Sequence, residues 1–123
     1  MDRRRFSLAG RLASFRYAFA GLAFVLRTQH NAWLHVMATA AVVVLGLVVG
    51  VARTDWLWLV VAIALVWVAE ITNTAFEHLC DVVSPELNAS VRKAKDVAAA
   101  AVLVASTASA IIGAVVFWPY LVG

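Results

Sequence analysis

The stretch WLWLVVAIALVWVAEITNTAFEHLCDVVSP, residues 56–85, decides the fold of this chain. It opens with an apolar run from Trp56 to Ala69, which is too short to cross a bilayer because a spanning helix needs about 20 residues. The helical pattern continues through acidic and amide side chains and stops at a Ser-Pro pair. The stretch therefore predicts one long helix over about residues 56–83, with its acids in the second half.

Two further apolar runs flank this helix. No Asp, Glu, Lys or Arg lies within residues 28–52, and none follows Asp96, so we predict further spans over about residues 32–52 and 91–120. The 123 residues are 64% apolar and 14% charged, whereas a soluble domain is about half apolar and about a quarter charged. This composition excludes a soluble domain, a coiled coil and a disordered protein. It predicts a single all-α integral membrane domain over residues 1–123.

The N-terminal segment carries most of the basic charge. Six of the ten Lys and Arg residues precede residue 28, and Leu and Phe recur at helical spacing through residues 6–27. This pattern is typical of an amphipathic helix on the membrane surface. Cytoplasmic flanks of spanning helices are rich in Lys and Arg, so we place the N-terminus and the loop of residues 86–95 in the cytoplasm. Without a zinc-ligand spacing or an RNA-binding signature, nucleic acid is not an expected partner.

Three carboxylates lie on one face of the long helix. Glu70, Glu77 and Asp81 are spaced i, i+7 and i+11, which puts them within about 40° of one another around the helix axis. Ionisable groups inside a span are costly and point to function. Carboxylates on one stripe repel each other, and a divalent cation relieves the repulsion. Oxygen ligands of this kind suit Mg²⁺, which commonly takes one or two carboxylates plus phosphate oxygens.

Lys95 and Asp96 begin the last predicted span, across a short loop from these acids. A lysine beside a metal-binding carboxylate cluster suits a nucleotide, whose phosphates then meet positive charge on both sides. Glu70 is the deepest of the acids, and we expect it to take a proton from a lipid hydroxyl. Because the sequence has no Walker-type glycine loop, any phosphoryl transfer must use side chains from helices.

Two other interpretations stay open on spacing alone. A buried acid in a span can serve only as a hydrogen-bond partner between helices. The same Glu70 can also be the carrier site of a small proton-coupled transporter, which has no need of the Lys95–Asp96 pair. His30 and His35 are expected to be hydrogen-bond donors at the membrane interface.

The sequence resembles the bacterial diacylglycerol kinase family over nearly its whole length. The resemblance rests on three segments: EITNTAFE with the following Asp81, the Ser84-Pro85-Glu86 stop, and AKDVAAAAV at residues 94–102. The combination of E-x-x-N-x-x-x-E with a later A-K-D is specific. Asn31, His35 and the ending IIGAVVFWP at residues 111–119 are similar to the undecaprenol kinase branch.

The resemblance implies a homotrimer in the bacterial inner membrane, with one surface helix and three transmembrane helices per chain and active sites shared between subunits. It implies phosphorylation of a lipid hydroxyl by MgATP, the lipid being diacylglycerol or undecaprenol. Glu70 matches the general base, and Asn73 matches a residue that orients the base or the γ-phosphate. Glu77 and Gln29 match metal ligands. The implied ATP-binding residues are Tyr17, Gln29, Glu77, Asp81, Glu86, Asn88, Lys95 and Asp96.

Some positions depart from the family pattern. The family's second metal-ligating glutamate is Gln29 here, whose amide oxygen can bind Mg²⁺ but brings no negative charge. A Tyr-His pair of the family is Leu87-Asn88 here. We therefore expect an active kinase with altered metal or nucleotide handling. A catalytically impaired member of the family is the alternative, and the sequence does not separate the two lipids.

Overall fold

The computed structural model describes residues 6–123, in which all the regular structure is helical. The helices are α1 (Leu8–Thr28), α2 (His30–Val49), α3 (Arg53–Val83) and α4 (Ala89–Val122). By length and composition α2, α3 and α4 can each cross a membrane. The predicted fold class, an N-terminal helix followed by three apolar spans, is confirmed. Three of the basic residues in the N-terminal segment, Arg3, Arg4 and Arg5, lie outside the described residues.

Gln29 forms the joint between α1 and α2. Its backbone is extended, with φ −108° and ψ 117°, so the helical path breaks at this single residue. Its N–H still donates to the carbonyl of Val25, and its own carbonyl accepts from the N–H of Ala32 at 3.2 Å. The joint therefore satisfies the backbone groups on both sides and places Gln29 where the N-terminal helix meets the first span.

A left-handed glycine turns the chain from α2 into α3. Gly50 has φ 69° and ψ 54°, a conformation that costs glycine little because it has no Cβ. The N–H groups of Gly50 and Val51 both donate to the carbonyl of Gly46. The next helix begins at Arg53, three residues before the predicted boundary, and Asp55 in its first turn faces the positive end of the helix dipole.

The apolar core lies at the end of the bundle near this turn. Its buried members are Val51, Leu59, Val116 and Phe117. Trp56 packs against this cluster and lies directly on α2, because a Cβ at Gly46 would come within 2.6 Å of its Cη2 atom. The absence of a side chain at Gly46 is thus what allows α2 and the start of α3 to approach each other.

Polar contacts add to this packing. The hydroxyl of Tyr120 accepts from the N–H of Ala52 at 2.8 Å and donates to the carboxylate of Asp55. Nearer the middle of the bundle, Ser109 Oγ donates to the carbonyl of Ala62 at 2.8 Å. These bonds tie α4 to α3 and to the turn before it, so the two long helices run antiparallel in close contact.

A short loop joins α3 to α4 at the opposite end of the bundle. Asn88 caps α4: its Oδ1 accepts from the N–H of Val91 at 3.0 Å, and its Nδ2 donates to Ser84 Oγ at 3.3 Å. An Asn cap of this kind stabilises a helix by about 1 kcal/mol. Because the loop is tight, the first turns of α4 lie against the last turns of α3, where the sequence places its charged residues.

Candidate active site

Glu70 is the most deeply buried acid of the described chain. It lies in the second half of α3 and is 1% exposed, with Asn73 and Thr74 also buried beside it. Removing an ionised carboxylate from water costs several kcal/mol unless a partner compensates. The sequence places this acid within an apolar helix, so it must find its partner on another element.

That partner is His35, on α2. Its Nε2 lies 3.2 Å from Oε2 of Glu70, and the two residues are separated by 35 positions in the chain. The sequence suggested only an interfacial donor at His35, because the contact depends on how α2 packs against α3. No spacing within either helix signals it; the one available hint is that a buried acid requires a donor nearby.

Two buried polar atoms at this level have no partner among the described residues. Oε1 of Glu70 and Oδ1 of Asn73 are buried and accept no hydrogen bond from the described residues. Buried polar atoms are nearly always bonded, so such exceptions need an explanation. Both atoms are acceptors on α3, one turn apart along the helix, and each can accept a hydrogen bond from another molecule.

The charged end of the site is formed by α3 and α4. Lys95 Nζ lies 2.6 Å from Oδ1 of Asp81, and both side chains keep partial contact with solvent, at 30% and 62% exposed. The negative charge of Glu77, which is half-buried on α3, also attracts the ammonium group of Lys95. An exposed ion pair is weak, so an incoming phosphate can compete with Asp81 for the ammonium group.

The three acids predicted on one stripe do not converge in this chain. Glu70 turns to His35 on α2, whereas Asp81 turns to Lys95 on α4. Within residues 6–123 no group of three or more His, Cys, Asp or Glu side chains is arranged to hold a metal ion. Glu70 and Asp81 lie about 16 Å apart along the helix axis, so one ion cannot bind both. The binding of a divalent cation near these acids stays a prediction.

A smaller oxygen set still fits Mg²⁺. The ion commonly binds one or two carboxylates and takes its other ligands from water and phosphate. Glu77 and Gln29, both half-buried, offer one carboxylate and one amide oxygen. Their chemistry suits the ion, and a nucleotide must then supply further ligands. The assignment of these two residues as ligands stays a prediction.

The remaining predicted nucleotide contacts lie on exposed parts of the chain. Tyr17 on α1 is 71% exposed, and Glu86 and Asp96 are exposed at the α3–α4 end. Asn88 is also exposed, but its side-chain amide is engaged in capping α4. Of the predicted set, only Asp81 and Lys95 are joined by a hydrogen bond between their side chains among the residues described.

The chain can be assigned to a protein family. Residues 16–117 match the family model described as prokaryotic diacylglycerol kinase. The chain belongs to the prokaryotic diacylglycerol kinase family. The matched range contains all of α3, the loop after it and α4 as far as residue 117, and so includes Glu70 and Lys95. Its family and its three long apolar helices show that this diacylglycerol kinase family member is a membrane protein.

Two curated relatives agree with this membership. The undecaprenol kinase of Bacillus subtilis is 34% identical over 108 residues, which is 88% of this chain and 88% of that protein. The diacylglycerol kinase of Synechocystis sp. is 34% identical over 111 residues, which is 89% of this chain but 63% of that protein. The resemblance seen in the sequence motifs is thus confirmed at the level of the family.

Proposed function

We propose that this membrane lipid kinase transfers the γ-phosphate of MgATP to the hydroxyl group of a membrane lipid, with Glu70 as general base. The family and the names of both relatives support the lipid kinase reaction. One observation carries the choice of base: Glu70 is 1% exposed, and only one of its two carboxylate oxygens has a partner. A carboxylate that served only to join helices would have no reason to keep a buried oxygen unpaired.

The reaction balances through the side chains available. Oε1 of Glu70 accepts the proton of the lipid hydroxyl, and the hydroxyl oxygen forms a bond to the γ-phosphorus. The bond from that phosphorus to the β–γ bridging oxygen breaks, and ADP leaves with the electron pair. Asn73, one turn along α3, orients the reacting hydroxyl or the γ-phosphate.

The charged end of α3 and α4 binds the nucleotide in this proposal. Lys95 exchanges Asp81 for a phosphate oxygen, while Glu77 and Gln29 hold the metal ion. When bound, Mg²⁺ neutralises charge on the β- and γ-phosphates. Further nucleotide contacts are assigned to Tyr17, Asp81, Glu86, Asn88 and Asp96. The site faces the cytoplasm of a bacterial cell, with the N-terminus on the same side, and neighbouring chains of a homotrimer complete it.

The acceptor lipid is diacylglycerol or undecaprenol. Both present a primary hydroxyl at the membrane interface and differ in the shape of their apolar tails. A mixed-micelle assay separates them: purified protein receives labelled ATP and Mg²⁺ with one lipid in each reaction. Glu70→Gln is tested beside Asp55→Asn, which makes the same change from carboxyl to amide near the other end of α3.

We expect label in one lipid with the wild-type chain and with Asp55→Asn. Glu70→Gln should lose the transfer yet still bind MgATP, since Glu70 is not among the proposed nucleotide or metal contacts. Wild-type protein that labels neither lipid would contradict the proposed reaction and favour an impaired member or a transporter that uses Glu70. Full activity in Glu70→Gln would contradict the choice of base alone.

A further inference from the structure

We infer that His35 is a positioning residue for Glu70: it holds one carboxylate oxygen and leaves the other aimed at the lipid hydroxyl. The inference rests on the proposed function, since it assumes that Glu70 is the base. A carboxylate can only accept hydrogen bonds, so Nε2 of His35 carries the proton and donates it to Oε2. With Oε2 engaged at 3.2 Å, Oε1 is the oxygen that receives the substrate proton.

The histidine is itself held by two neighbours, by Trp67 at its ring and by Thr39 at its backbone carbonyl. It meets the indole of Trp67 edge-on, with ring centroids 6.0 Å apart. Trp67 Nε1 donates to Thr39 Oγ1 at 2.9 Å, and Thr39 Oγ1 donates to the carbonyl of His35 at 2.7 Å. Because Trp67 lies on α3, one turn before Glu70, these contacts fix the ring relative to the carboxylate that it must orient.

Burial makes this orientation consequential. The side chains of His35 and Glu70 are 15% and 1% exposed, so water cannot easily replace the histidine as donor. Without the bond, the carboxylate can rotate and present either oxygen in several directions. A misplacement of about 1 Å at a reacting centre can cost about a hundredfold in rate. The loss should appear in kcat, because neither His35 nor Glu70 is among the proposed nucleotide or metal contacts.

Two substitutions of similar polarity test the inference. In His35→Gln the amide nitrogen lies near the position of Nε2 and can still donate to Glu70, whereas the shorter amide of His35→Asn cannot reach it. We expect His35→Asn to lower kcat about tenfold to a hundredfold while KM for MgATP changes by less than about twofold. His35→Gln should restore kcat to within about fivefold of wild type. The exposed His30 supplies the control: His30→Asn should leave both constants unchanged.

The outcomes separate this inference from the proposed function. A wild-type chain that labels no lipid would overturn the proposed reaction whatever His35 does. An active Glu70→Gln variant would overturn the choice of base and with it the role of His35. With wild type active and Glu70→Gln inactive, the inference on His35 is overturned if His35→Asn keeps a wild-type kcat. It is also overturned if His35→Gln is as slow as His35→Asn although both bind MgATP normally.

A folding defect in His35→Asn would show as lost MgATP binding. Thr39→Val then decides, because it keeps the histidine and the shape of residue 39 but removes the acceptor for Trp67 Nε1. We expect a severalfold fall in kcat with KM for MgATP unchanged. A wild-type kcat in Thr39→Val would overturn the inference.

Discussion

Replacing Gly46 by alanine should loosen the packing of α2 against α3. The added Cβ would lie 2.6 Å from Cη2, 2.9 Å from Cζ2 and 3.2 Å from Cζ3 of Trp56. Non-bonded carbon atoms prefer separations of about 3.5–4.0 Å, so the indole must shift by about 1 Å. It cannot do so freely, because Trp56 also packs against the buried core cluster.

The expected magnitude follows from two opposing contributions. Overpacking of this kind costs about 1–3 kcal/mol, whereas removing a glycine from a helix interior returns about 0.5–1 kcal/mol. Gly113→Ala isolates the second contribution, because a Cβ at Gly113 in α4 meets no atom within 4 Å. The two variants should therefore differ by about 1–3 kcal/mol in the free energy of unfolding, with Gly46→Ala the less stable.

Equilibrium unfolding in mixed micelles of a mild detergent and SDS, followed by circular dichroism, measures this difference. Trp56→Phe removes the ring that conflicts with the new methyl group. The double variant Gly46→Ala/Trp56→Phe should consequently lose less than the sum of the single losses, with a coupling of about 0.5–3 kcal/mol. Equal stability of Gly46→Ala and Gly113→Ala, or strict additivity in the double variant, would refute the steric argument.

Two further predictions concern the charged end of the site. Lys95→Met should raise KM for MgATP about tenfold or more, because it removes the ammonium group that would otherwise exchange Asp81 for a phosphate oxygen. The control Lys93→Met removes the same charge two residues away and should leave KM for MgATP nearly unchanged. Equal effects of the two lysines on KM would show that only net charge matters. Gln29→Glu adds a negative charge to the proposed metal ligands and should lower the Mg²⁺ concentration for half-maximal rate severalfold. An unchanged Mg²⁺ titration would remove Gln29 from the metal site.

Hydropathy and charge in the sequence were sufficient to predict the class of fold. The uncharged runs on either side of α3 and the acids in its second half correspond to three long helices of the kind expected. The beginnings of these helices were harder to predict. Arg53 to Asp55 join α3 because a polar first turn with an acid suits a helix N-terminus, and Asn88 starts α4 early because its amide caps the first turn.

The site was predictable only within single helices. The pattern on α3 correctly picks out Glu70 as an unusual acid, but it cannot tell which neighbour each acid faces. The contact between His35 and Glu70 joins residues 35 positions apart and arises from packing between helices. Glu70 and Asp81 share one side of α3 but lie about 16 Å apart along its axis, so they cannot converge. Helical phase gives their common direction, and the neighbouring helix determines what each of them meets.

The unbroken length of α3 also sets a depth. Its 31 residues extend about 46 Å at 1.5 Å per residue, well beyond the roughly 30 Å of a hydrocarbon layer. Measured from Arg53, Glu70 lies about 26 Å along the axis and Asp81 about 42 Å. If Arg53 marks one water boundary, the proposed base Glu70 lies just beneath the opposite boundary and Asp81 lies outside the hydrocarbon. The length of α3 thus fixes the depth of Glu70 in the membrane. A lipid can present its hydroxyl to Glu70 in its normal orientation, with its tails remaining in the hydrocarbon layer.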